Sequence, residues 1–121
     1  MFPSSLLAKL LVRGSLKNTG KGFELKLKNI IDSGTIVGMG PLVVDETTYQ
    51  PSEMTVKVGT VEMKGDQISR TAAVSVRAYA EIWMNVDGAA LQPGDHAITI
   101  QFLTREVGRL QFSVTEPLSV E

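Results

Sequence analysis

The longest regular alternation in the chain runs from Thr71 to Gly88, TAAVSVRAYAEIWMNVDG. Val74, Val76, Ala78, Ala80, Ile82, Met84 and Val86 share one parity; Ser75, Arg77, Tyr79, Glu81, Trp83, Asn85 and Asp87 share the other. Successive side chains of a strand point to opposite faces, so the pattern predicts a half-buried strand with an apolar inner row. Strands usually run about 3–10 residues, so a break is expected near Ala78–Ala80, leaving two shorter strands. A helix competes, because Val76, Ala80 and Trp83 nearly fit a 3.6-residue period. The β-branched residues and the Asp87-Gly88 stop favour strand.

The same period recurs along the chain. In Gly22–Asn29, Phe23, Leu25 and Leu27 oppose Glu24, Lys26 and Lys28. Asn18–Gly22 supplies a turn, so Leu10–Lys17 and Gly22–Asn29 are expected to form a hairpin. Ahead of it, Ser4-Ser5 before Leu6, Leu7, Leu10 and Leu11 suits one short helical turn or an apolar lead-in. Thr35–Val37 and Leu42–Val44 are separated by GMGP. Pro41 has no N–H for a ladder, which argues for a sheet edge or a crossing between sheets. Asp45–Tyr49 reads as a tight turn. Met54, Val56 and Val58 lead through Gly59 to Val61 and Met63, and Lys64–Asp66 turns the chain again. His96–Leu103 and Leu110–Thr115 form a last hairpin, with Ile98, Ile100, Phe102, Leu110, Phe112 and Val114 inward. Seven to nine short strands with no convincing helix predict an all-β, antiparallel two-sheet β-sandwich of immunoglobulin-like look, one domain over 1–121.

Composition narrows the function. A domain of 121 residues buries about two-thirds of its unfolded surface and folds without staples. The chain has no Cys, which excludes disulfides, thiol catalysis and thiolate zinc sites. Twelve Lys and Arg against thirteen Asp and Glu give a net charge of −1 with no block of either sign, which points to neither nucleic acid nor an anionic membrane as partner. No apolar run approaches the ~20 residues of a membrane span. MFPSSLLAKLLV has no basic n-region and no small-residue cleavage site, so a cytoplasmic location is expected.

Titratable chemistry is sparse. His96 is the single His, after Pro93-Gly94-Asp95 where a strand begins. It reads as a strand-end residue covering a turn, with an enzyme using His96 and a nearby acid as the weaker alternative. No second His or Cys and no paired carboxylates offer a metal set, so no cofactor is expected in this chain. Gly38 and Gly40 precede neither a helix nor a Lys-Ser/Thr pair, unlike a phosphate loop. The mixed row Arg77, Tyr79, Glu81, Trp83 is the main candidate. Trp, Tyr and Arg dominate interface energetics, so the row reads as a partner surface. The alternatives are a row covered by the protein itself and an aromatic platform for sugars.

Gly14-Ser15-Leu16-Lys17-Asn18, Gly22-Phe23, Val44-Asp45 with Tyr49 and Pro51, and Leu91-Gln92-Pro93-Gly94-Asp95-His96 resemble the small β subunit of bacterial C-glycoside deglycosidases and its short relatives, over about residues 10–115. The resemblance implies a non-catalytic accessory sandwich packed against a larger barrel-type α subunit. The divalent metal and the catalytic residues of that carbon–carbon lyase would lie in the α subunit. Some short relatives carry the label hydroxymethylglutaryl-CoA reductase. That reaction needs nicotinamide and coenzyme A sites, and this chain has no glycine fingerprint between a strand and a helix. A stand-alone homo-oligomer whose exposed sheet self-associates is the second expectation.

Overall fold

The computed structural model describes residues 2–119, and among them the alternation becomes eleven strands. A single short helix, α1 (Ser4–Ala8), leads in. Strands β1 (Lys17–Asn18), β2 (Gly22–Lys28), β9 (Glu81–Asp87), β6 (Met54–Val58) and β7 (Val61–Lys64) form one antiparallel sheet in that spatial order. The second sheet is built on β10 (Asp95–Thr104). Strand β11 (Gly108–Pro117) pairs along one side of it, and β3 (Gly34–Met39) and β4 (Leu42–Val44) lie end to end along the other. Strand β8 (Val74–Val76) flanks β3, and β5 (Thr47–Tyr49) flanks β4. The all-β, two-sheet sandwich expected from the sequence is therefore the fold, with more and shorter strands than the seven to nine anticipated.

The inner rows meet in one core. Phe23, Leu25, Leu27, Met54, Val56, Ile82, Met84 and Val86 from the first sheet face Ile36, Leu42, Val44, Val74, Val76, Ile98, Ile100, Phe102 and Phe112 from the second. Phe23 and Tyr49 meet across the sheets edge to face, with ring centroids 5.2 Å apart, the arrangement the ring quadrupoles prefer. Leu7, Leu10 and Leu11 close the core from the N-terminal segment.

Two local expectations are corrected and a third is sharpened. The stretch 10–17 is not one strand: residues 10–12 run along β2, with Val12 N–H donating to Lys26 at 2.9 Å, and then the chain bulges at Gly14, whose φ is +82°. The hydroxyl of Ser15 fills the gap, accepting from Lys26 N–H at 3.1 Å, before β1 resumes the pairing. Pro41 joins β3 to β4 within one sheet at a local edge, the first of the two expected settings, and not at a crossing between sheets. Residues 37–41 have no ladder partner on the side away from β10, because β8 covers only 34–36 and β5 only 42–44. Proline's missing donor therefore costs no ladder bond there. The segment 45–49 is a turn only at Asp45–Glu46, and 47–49 continues as β5.

Candidate functional site

The long alternation does break where expected. Strand β8 lies in the second sheet and β9 in the first, so residues 77–80 cross between sheets. Asn29 holds the crossing. Its amide nitrogen donates to the carbonyls of Val76 (3.2 Å), Arg77 (3.2 Å) and Asp32 (2.7 Å), and its backbone carbonyl accepts from Tyr79 N–H at 2.6 Å. These bonds hold Tyr79 in the left-handed region, φ +68°, with 71% of the residue exposed. Such a backbone is uncommon outside glycine and needs surroundings that fix it.

The row Arg77, Tyr79, Glu81, Trp83 is therefore not one strand face. Arg77 and Tyr79 stand on the crossing, and Glu81 and Trp83 on β9. The four nevertheless line one open depression together with Lys28, Lys57, Val58, Gly59, Ser75 and Ala80. Ile82 and Met84 point inward and Trp83 outward, as the parity requires. Register sets Lys26 and Lys57 directly opposite Trp83 on its two neighbouring strands. Lys26 Nζ sits 4.9 Å from the indole ring centroid and 3.1 Å from Glu81 Oε2. A cation over an indole is worth ~0.5–1 kcal/mol at an exposed site. Strand β2 is flanked by β1 and β9, and the Lys26 side chain is only 21% exposed.

His96 lies at the opposite end of the sandwich. It continues the inward parity of Ile98 and Ile100, and it is buried. Its Nδ1 is 2.7 Å from Asp45 Oδ2, and its Nε2 is 2.7 Å from the Gln92 carbonyl. Asp45, at φ +56°, also accepts from Ala97 N–H at 3.0 Å. Burial disfavours charge on the ring, but the bonds to Asp45 and Gln92 and the nearby carboxylates of Asp45 and Asp95 outweigh it, and the His96 pKa is raised from 6.5. The bond from His96, then that from Ala97, lowers the Asp45 pKa from 3.8. Both ring nitrogens are thus engaged: Nδ1 fastens the β4–β5 turn to β10, and Nε2 holds the loop that leads into β10. This is a latch, and it offers no free nitrogen for the acid–base chemistry weighed for His96.

Glu116 was missed. It extends the Phe112–Val114 parity to the end of β11, opposite His96 in register, and is fully buried. One carboxylate oxygen accepts from Gly14 N–H at 2.6 Å; the other lies 3.1 Å from Arg13 Nε, an ion pair that is not aligned as a hydrogen bond. Carrying the alternation two residues further would have flagged it. Asn29 and Asp45 had no such signal, because the partners that tie them to other elements lie 47 to 52 residues away. Among the described residues no helix is long and apolar enough to cross a membrane.

At the end of the sandwich opposite the latch, the sheets part around a cavity of ≈330 Å³. No curated protein matches the chain. A family model does, over residues 6–119, and its description is hydroxymethylglutaryl-CoA reductase, N-terminal domain. The match starts within the first helix and takes in every strand of both sheets, so the chain belongs to the hydroxymethylglutaryl-CoA reductase N-terminal domain family.

Proposed function

We propose that the chain is a non-catalytic accessory module that docks through the Trp83 face on a larger enzyme subunit. The observation that carries this reading is the clustering of Arg77, Tyr79, Glu81 and Trp83 around one exposed depression, although they belong to different elements. Aromatic and Arg anchors within a polar rim are what docking sites are made of. The family's description supports the reading, since it names a domain of an enzyme and not a whole one. The C-glycoside deglycosidase resemblance suggests the kind of partner: a barrel-type subunit that itself holds the divalent metal and catalytic residues. Lys28, Lys57 and Arg77 on the rim ask for carboxylates on that partner. They also weigh against the homo-oligomer alternative through this face, because a two-fold contact presents each patch to its own copy and brings like charges together.

The test is co-purification from the native host with mass spectrometry, followed by binding of the purified pair. A barrel-type, metal-dependent subunit should be retained, and Trp83→Ala should weaken its binding by at least ~2 kcal/mol while the thermal midpoint of the isolated chain changes little. Retained binding with a collapsed midpoint would make Trp83 a structural residue and remove the proposal.

A further inference from the structure

The cavity between the sheets is built by both layers. Leu27 and Ile82 line it from the first sheet, and Ile36, Val76, Phe102 and Leu110 from the second. Close packing leaves few voids larger than a water molecule, whereas ≈330 Å³ lies within the range of small-molecule pockets. Its position between two sheets suits a compact molecule.

The polar groups at the mouth decide what kind of molecule. The Asn29 amide is spent on the crossing, the Thr35 hydroxyl donates to Glu106 at 2.8 Å, and the Thr104 hydroxyl donates to the Gly108 carbonyl at 2.8 Å. Glu106 accepts from both the N–H and the hydroxyl of Thr35, and those two bonds lower its pKa from 4.5, so it is a carboxylate near neutrality. Lys28 and Asp32 are the other charges at the rim. An anionic head would meet two carboxylates and one ammonium. A cation drawn inside would lose its hydration against an apolar wall.

We propose that this end of the sandwich binds an uncharged, predominantly apolar small molecule, with a single hydroxyl or carbonyl left at the mouth beside Lys28 and Asp32. The site does not depend on the docking face, although Lys28 borders both.

The probe is N-phenyl-1-naphthylamine, a neutral apolar dye, titrated into the full chain. Saturable fluorescence gain at one dye per chain is expected, with displacement by 1-decanol at least tenfold better than by decanoate at pH 7.5. Leu110→Trp, which fills the space from β11, should abolish binding. Val107→Trp provides the same test at the rim, where the native residue is 52% exposed and the fold is not at stake; it should weaken dye binding at least tenfold. Trp83→Ala should leave binding unchanged, which separates this site from the docking face. Absence of saturable binding to the folded chain, or equal binding by the Val107 variant, overturns the proposal; displacement by decanoate as good as by decanol overturns its ligand class.

Discussion

Truncating Glu116 tests how the β11 end is held to the N-terminal bulge. The side chain is fully buried, and its strongest contact is the 2.6 Å bond from Gly14 N–H. A hydrogen bond to a charged acceptor is worth ~1.5–3 kcal/mol, and a donor left unpaired loses ~1–3 kcal/mol. Gly14 itself is exposed, so water reaches part of the freed donor. The Arg13 side chain is 74% exposed, so its ion pair adds ~0–1 kcal/mol. Glu116→Ala should therefore destabilise by about 1–3 kcal/mol. Glu116→Gln keeps an acceptor and should lose about 1 kcal/mol. Glu116→Leu keeps the bulk but not the acceptor, and should fall between the two. Urea unfolding with unchanged slope measures all three. A Leu variant as stable as the parent or more so would refute the reasoning. It would mean that desolvating the carboxylate outweighs its bonds, as happens at some buried ion pairs.

Two further outcomes follow from the latch and the packing. The raised His96 pKa means that its contribution is full below about pH 6.5 and is lost as pH rises through the higher folded value; the lowered Asp45 pKa means that its share is present above 3.8 and lost as pH falls through the lower folded value. The thermal midpoint should accordingly sag on the alkaline side of pH 6.5, and His96→Gln should lower it near pH 6 and flatten that sag; an unaltered pH profile in the variant would dissociate the ring from it. Gly65→Ala would place a Cβ 2.6 Å from the Pro51 carbonyl oxygen, so about 1–3 kcal/mol should be lost to overpacking, read as a drop in urea midpoint; an unchanged midpoint would show that the two 3₁₀ turns at 51–53 and 65–67 yield easily.

The period-two pattern alone determined the fold class and the inward rows, because side-chain alternation is a local property of extended backbone, and it left open whether the Trp83 row is covered by the protein itself. It also located the break at 78–80. It did not reveal that the break is a crossing between sheets, because strand order depends on contacts far apart in sequence, such as β2 with β9 and β3 with β10. The same limit hid the partners of the polar residues. His96 was legible as a strand-end histidine, but Asp45, which occupies one ring nitrogen, lies 51 residues away. Glu116 followed the inward parity, yet only the bulge at Gly14, brought across from the other end of the chain, makes a buried carboxylate tolerable there. The cavity was not legible at all, because it is the space where two sheets diverge, and no single strand carries a record of how far its facing neighbours stand apart.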